Sequence, residues 1–501
     1  MKLSRRHFLL FIGLLISACT KQAHTAPYIN FSKVGTDQGL PPTIDPYIPP
    51  TRMPDQPIIT PTPSAPKPLP TIRTEDLYYT VQWGDTVKSI AYQYNLLPQM
   101  IIEANLITDP SLIYTGQQLL LPAPEIRDTG PGYKIIPDSE LVRSPYTLRF
   151  QTDAFINNQS GFLKNYQEEI DSEPQTGAEI VDRVSQDYSV NPRLLLAVIE
   201  HQSQWLTTNG NKDNPYPLDY REAGYEGLYH QLAWAADEIN RGYYLWKVKG
   251  IGSWACSDGI NVPVNPTINA GSAGVQQLFA RLLPYNKWLT VVSEGGFIDT
   301  YIGLFGYPFD YNFTPMVPGD LIQPPLQLPF EKGVTWLFTG GPHGGWDDGS
   351  AWAALDFAPA EKEIGCSFSD DWVVAVADGI VVRSDHGAVL QSIDGDPYDQ
   401  TGWTILYMHI ETRGRVELGT RLTAGDQIGH PSCEGGVSSG SHVHIARRYN
   451  GEWIPADQNL PFVMDGWVSQ GFGYAYQGLL VNGNQPIQAE DSLPDIIRIQ
   501  R

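Results

Sequence analysis

Between Pro41 and Pro70, twelve of thirty residues are proline. Proline fixes φ and has no N–H to donate, so such a run enters neither a helix nor the middle of a sheet. All packed cores must therefore lie in the roughly 430 residues that follow, enough for about three domains. The proline run is expected to be a semi-rigid spacer. At on the order of 3 Å per residue it would reach about 90 Å. We assign residues 20–76 to this disordered stalk. The chain carries 33 Lys+Arg against 55 Asp+Glu, a net charge of −22. That balance lacks the basic footprint of a nucleic-acid binder, so no nucleic-acid partner is expected. Hydrophobic residues make up 42%, enough for real cores. No apolar run reaches the roughly 18–20 residues of an ordinary membrane span.

Residues 1–19 read as an address. Lys2, Arg5 and Arg6 precede an apolar stretch from Phe8 to Ile16, the pattern of a signal peptide. Ser4 to Leu9 resembles a twin-arginine export signal, and Ile16-Ser17-Ala18-Cys19 resembles a bacterial lipobox. The resemblance implies cleavage before Cys19 and lipid on its sulfur. The mature protein would then be exported and anchored on the outer face of the cell membrane, reaching the cell wall. The alternative is a plain secretory signal in which Cys19 is incidental. Export also permits a disulfide. Of the other three cysteines, Cys366 and Cys433 share the C-terminal domain and are expected to pair; the alternative is three free thiols.

Residues 77–123 order as strand, helix, helix, strand. Tyr79 and Val81 alternate; Val87, Ile90, Ala91 and Tyr94 follow helical spacing, as do Met100, Ile101 and Ala104. Gly84-Asp85-Thr86, Asn105, Gly116-Gln117 and Pro122 make the whole segment resemble a LysM domain. The resemblance implies binding of glycans containing N-acetylglucosamine, through Gly84, Asp85, Thr86 and the loop at Ile107.

Residues 132–315 are expected to be mostly helical. Helices are read at Thr176–Tyr188, from Asn191-Pro192 to Trp205, through Leu228–Trp246, and over Gly274–Leu283. The run from Asn191 to Trp205 resembles the opening of lysozyme-like lytic transglycosylase domains. In those, a Glu-Ser pair ends the helix and supplies the general acid. Here the pair is Gln202-Ser203, and an amide delivers no proton. Glu200 lies about 200° around the helix. We therefore expect a non-catalytic glycan-binding or spacer domain, with a glycosidase using another carboxylate as the alternative.

After five prolines between Pro315 and Pro329 the pattern becomes short alternating runs with glycine turns, an antiparallel β domain over 325–470 followed by a C-terminal extension, 471–501. A hairpin is expected across Trp372–Val382, turning at Asp378-Gly379. Six of the ten histidines fall between His343 and His444. His442 and His444 share one face of a strand, because side chains alternate with period two. A catalytic zinc needs three N/O ligands and an open position. His343, Asp356 and one of that pair would supply them.

These residues resemble the lysostaphin/LytM class of zinc endopeptidases, in particular its beta-lytic branch. The match rests on His343, Asp356-Phe-Ala, Tyr407-Met-His409 and the run from Cys433 to His444. Carried over by motif, His343, Asp356 and His444 bind Zn2+, His442 handles the water proton and His409 donates to the oxyanion; which of the last two does which stays open. Asp347 is a rival ligand, less favoured because no strand holds it. The fold class is thus multidomain α+β: a small βααβ LysM domain, a mostly α lysozyme-like domain, and a C-terminal antiparallel β zinc-peptidase domain. The implied function is a zinc metalloendopeptidase acting on peptidoglycan stem peptides or cross-links. Its rival is a non-catalytic peptidoglycan-binding scaffold that activates another hydrolase.

Overall fold

The computed structural model of the chain describes residues 52, 61–82, 84–360, 365–490 and 496–501. The export segment, Cys19 and most of the proline run lie outside these residues. Among the described residues no helix is long and apolar enough to cross a membrane.

Residues 61–76 correct the stalk expectation. They run along the middle domain: the Ser64 N–H donates to the Thr267 carbonyl at 2.8 Å, and the Lys67 N–H to that of Pro266 at 3.1 Å. The Lys67 ammonium lies 5.0 Å from the Trp246 ring centre. Leu69 packs on the same core. Proline has already removed much of the segment's backbone entropy, so few contacts suffice to order it.

The LysM segment has the expected order: β1 (Leu77–Thr80), α1 (Val87–Gln93), α2 (Pro98–Ala104) and β2 (Gln118–Leu121), with β1 and β2 antiparallel. Thr86 caps α1 in a reciprocal box with Ser89. Ile90, Ala91, Ile101 and Leu119 close a small core. The module is docked. Tyr92 on α1 donates to Glu238 of the middle domain, and the Arg241 and Arg281 guanidiniums sit 4.1 and 4.6 Å from its ring centre.

In the middle domain the helices α3 (Gly177–Tyr188), α4 (Pro192–Ser203), α5 (Leu228–Lys247) and α6 (Ala270–Leu282) match the periodic segments, and α7 (Phe297–Phe305) follows. Asn191 caps α4 as Asn191-Pro192 predicts, and Thr176 caps α3 in a reciprocal box with Glu179. Helices α5 and α6 cross closely because each offers a glycine. A Cβ at Gly242 would meet the Ala273 carbonyl at 2.6 Å, and one at Gly274 the Ile239 carbonyl at 2.6 Å.

The C-terminal domain is built on a nine-stranded sheet. Its strands are β3 (Thr335–His343), β4 (Ala354–Pro359), β5 (Gly379–Asp385), β6 (Ala388–Ser392), β7 (Trp403–Met408), β8 (Arg421–Leu422), β9 (Val443–Tyr449), β10 (Glu452–Trp453) and, last in sequence, Arg498–Gln500. The spatial order is β8-β5-β6-β7-β9-β4-β3 with Arg498–Gln500 on the β3 edge and β10 beside β9. All of these pairings are antiparallel. Leu355, Phe357, Val389, Ile405, Tyr407, Val443 and Ile445 point to the domain's own core. The alternate residues Ala354, Ala388, Leu390, Leu406, Met408 and Ala446 point the other way and join the core of the middle domain. Two ion pairs flank this shared layer, Arg143–Asp399 at 3.1 Å and Arg383–Asp187 at 2.7 Å.

Two expectations are corrected here. The Trp372–Val382 hairpin does not form. Val373–Val374 pairs with Gln427–Gly429, whereas β5 turns at His386-Gly387 into β6. Both turn residues have positive φ, 42° and 74°, which matches the strand twist of a two-residue hairpin. The segment 471–501 is not an appendage either. It supplies two strands of a four-stranded sheet, Gly478–Asn482 and Gln485–Gln488, and the edge strand of the main sheet, where Ile499 pairs with Trp336.

Candidate metal centre and active site

The sheet register assembles the site. Asp356 stands opposite His444 across β4 and β9, opposite Gly340 across β4 and β3, and His444 stands opposite Met408 of β7. His343 ends β3. His343, Asp356 and His444 are all buried, and one ligand atom from each lies within 4.8 Å of the others. His343 Nε2 is 3.2 Å from Asp356 Oδ1, His444 Nδ1 is 3.3 Å from that oxygen, and the two nitrogens are 2.9 Å apart.

The far nitrogens set the chemistry of this triangle. His343 Nδ1 lies 2.7 Å from the Gly341 carbonyl and His444 Nε2 lies 3.1 Å from the Gly345 carbonyl. A carbonyl only accepts, so both of those nitrogens carry the proton. In the neutral rings the near nitrogens are then lone pairs, facing each other and a carboxylate oxygen. Asp356 Oδ1 is buried without a hydrogen bond. Three acceptors facing inward with no donor among them is the arrangement a cation satisfies. Tetrahedral zinc with bonds of about 2.0–2.1 Å holds its ligand atoms roughly 3.3 Å apart. The residues fit zinc.

Electrostatics agree with an anionic acceptor between basic rings. Burial works to raise the Asp356 pKa, but His343 and His442 beside it hold the carboxyl well below the ordinary range. Burial would lower His343, and Asp356 more than reverses this. His444, with burial as the main cause, is lowered.

His409 and His442 flank the triangle, their ring centres 4.5 Å apart. His409 follows β7 with φ of 64°, a conformation that side chains other than glycine rarely adopt. Its Nδ1 donates to the Glu434 carbonyl at 2.9 Å. His442 Nδ1 donates to the Gly440 carbonyl at 2.8 Å, and its Nε2 lies 3.8 Å from Asp356 Oδ1. Burial, then His442 and His444, push His409 down to about 3. The expected disulfide joins Cys366 and Cys433. It holds the loop that presents the Glu434 carbonyl to His409, while Cys256 is buried and free.

The rival ligand is turned away. Asp347 accepts from the Tyr188 hydroxyl of α3 at 3.1 Å and from the Asp348 N–H at 2.9 Å. In the LysM segment, Asp85 accepts from the Tyr79 hydroxyl and the Gln82 N–H, both at 2.7 Å. Gly84 has φ of 85°. Ile107 packs at the edge of the LysM core, and it is its neighbour Leu106 that stands 87% exposed. In the middle domain Gln202 donates to the Leu218 carbonyl at 2.8 Å, and Glu200 accepts from the Leu206 and Thr207 N–H groups. Both side chains are engaged in fixing the turn after α4.

Sequence reasoning missed Tyr476, whose ring stacks on His343 with centres 4.2 Å apart. The run from Gly471 to Gly478, with aromatics at alternate positions between glycines, was the available signal.

Residues 79–122 match the LysM domain family, residues 134–317 the family described as LasA, N-terminal domain, and residues 362–455 Peptidase family M23. The middle segment, read above as lysozyme-like, thus has its counterpart in a LasA N-terminal domain. The M23 match contains His409, His442 and His444 but begins after His343 and Asp356, which rest on the geometry. Protease LasA from two strains of Pseudomonas aeruginosa is 24% identical over 294 residues, 55% of this chain and 67% of the relative. Among solved structures, the deep-sea M23 metalloprotease pseudoalterin is 20% identical, covering 36% of this chain and 99% of its own, with a TM-score of 0.29. The catalytic domain of the antimicrobial peptidase lysostaphin from Staphylococcus simulans is 22% identical, covering 24% and 88%, with a TM-score of 0.18. In chain order, then, this protein carries a LysM domain, a LasA-type N-terminal domain and a Peptidase family M23 domain.

Proposed function

We propose that the chain is an exported zinc endopeptidase that cuts a peptide bond in peptidoglycan stem peptides or cross-links, with the LysM domain holding the glycan. The observation that carries this reading is the buried, acceptor-only triangle of His343 Nε2, Asp356 Oδ1 and His444 Nδ1 beside two further histidines. A wall scaffold has no use for such a set. These three side chains would hold the ion, and when bound it would supply Lewis acidity and a water that ionises near neutral pH.

The chain's own residues do the rest. His409, neutral and anchored through Nδ1, presents a lone pair at Nε2 and accepts the proton of the attacking water. His442, tied through Nδ1 to the Gly440 carbonyl, turns Nε2 toward the Asp356 carboxylate and is the ring placed to contact the oxyanion. This reverses the roles expected from sequence, where the choice had stayed open. The LysM turn at Gly84–Thr86 and the Leu106–Ile107 loop receive N-acetylglucosamine units. Cys19 carries the lipid that ties the mature chain to the outer face of the membrane.

The test is zinc content of the full chain beside Asp356→Ala and Asp347→Ala, followed by digestion of purified peptidoglycan. The reading expects one zinc, lost with Asp356→Ala and kept with Asp347→Ala, and new peptide ends in the digest. A parent chain that binds no zinc after reconstitution would overturn it. Palmitate labelling that survives Cys19→Ala would overturn the anchor.

A further inference from the structure

The turn from Gly471 to Gly478 carries Phe472, Tyr474 and Tyr476, which are 45%, 58% and 54% exposed. Clustered aromatics this open mark a contact surface, because a large ring left in water is unfavourable unless something covers it. The turn is rigid. The Phe472 N–H donates to the Gln477 carbonyl and the Gln477 N–H to that of Tyr474, each at 3.2 Å. Tyr476 is tied back to the metal strand: its N–H donates to the Pro342 carbonyl at 3.1 Å, and its carbonyl accepts from Gly341 at 2.8 Å.

The two ends of this surface meet the two sites already described. Tyr476 stacks on His343 with an interplanar angle of 21°. At the other end Tyr474 approaches the LysM domain. Burial first, and Tyr474 among the further causes, raise Tyr79 and Tyr94. The Tyr79 hydroxyl in turn donates to Asp85 in the LysM turn. Tyr474 thus lies on the LysM side of the turn and Tyr476 on the metal side.

We propose that the Gly471–Gly478 turn is a saccharide subsite that stacks on pyranose rings of an N-acetylhexosamine strand, between the LysM turn and the metal centre. Pyranose rings present apolar C–H faces that match exposed aromatic faces, and their hydroxyls stay in water. A neutral polymer also suits a chain of net charge −22. The proposal rests on the peptidase reading only for its consequence, which is to feed the stem peptide of a bound strand toward His343.

The test compares the full chain with Phe472→Ala/Tyr474→Ala, which leaves Tyr476 in place. Calorimetric titration uses the trimer and the hexamer of N-acetylglucosamine. The hexamer, long enough to leave the LysM turn, should bind the variant about tenfold more weakly, while trimer affinity is unchanged. Phe472→Trp/Tyr474→Trp should restore the hexamer. With purified peptidoglycan as substrate the alanine variant should raise KM, and sugar-free stem peptides should be cut as by the parent. Equal hexamer affinity in parent and variant, or equal weakening of trimer and hexamer, would overturn the subsite. A hexamer effect in a chain that cleaves nothing would sustain the subsite and defeat the peptidase reading.

Discussion

Gly340→Ala tests the centre without touching a ligand. A methyl at Gly340 would lie 2.4 Å from Asp356 Oδ2 and 2.9 Å from its Cγ, where ordinary contact begins at 3.4 Å. The carboxylate must retreat by about 1 Å. Metal–ligand distances tolerate about 0.2 Å, so Asp356 leaves the ion or the β3–β4 pairing opens. A change behind the ligands typically costs about 10–100-fold in metal affinity, and displacing one of three ligands costs at least the upper figure. The overpacked metal-free fold should lose only about 1–3 kcal/mol. Competition against a chelator reads the zinc affinity, and thermal melting of the metal-free protein reads the fold. Gly319→Ala, with nothing within 4 Å of its added carbon, is the control. A Gly340→Ala protein that melts near the parent and holds zinc as tightly would refute the placement of Asp356.

Three further outcomes are expected. His409→Gln and His442→Gln should each lower kcat by about 10²–10³-fold while zinc content stays at the parent's level; zinc lost with either variant would defeat the placing of these rings outside the ligand set. Replacing Cys366 and Cys433 by alanine opens a link of sequence separation 67, and should cost about 4 kcal/mol in denaturant unfolding as well as activity, since the Glu434 carbonyl loses its support. Burial, then Asp347 across the domain boundary, raise Asp237 to about 8. A carboxyl raised in the folded state stabilises fully below its unfolded pKa of about 3.9, and that contribution is lost as pH climbs through 8. Asp237→Asn keeps an acceptor for the Gly349 N–H, so its melting temperature should fall less between those limits than the parent's; equal slopes would contradict this.

The helices and the LysM order were legible because periodicity and caps are local. Asn191-Pro192 announces α4 whatever packs on it. The cluster of His343, Asp356 and His444 was legible because His442 and His444 alternate along one extended run and Asp356 lies within a strand of its own. Pairing between distant strands was not. Nothing near Trp372 says that Val373 pairs with Gly429, nor does anything near Arg498 say that it closes the sheet beside β3. Tyr476 was missed for the same reason, since it reaches His343 only through a turn over a hundred residues away. The stalk was overextended because proline content forbids helix and sheet but not adhesion to a neighbouring domain.

All four site imidazoles are oriented by main-chain carbonyls, at Gly341, Gly345, Glu434 and Gly440. Only His442 has a side chain at the same nitrogen, the Ser438 hydroxyl at 3.3 Å from Nδ1. For the other three, no side chain can be exchanged to change the acceptor that fixes the protonated nitrogen. Three of the acceptors belong to glycines, and a Cβ at Gly341 or Gly345 would press into Gly478 or Trp453. Variation can retune this centre only by reshaping loops, through insertion, deletion or the loss of a glycine. The protonation pattern is inherited as backbone shape.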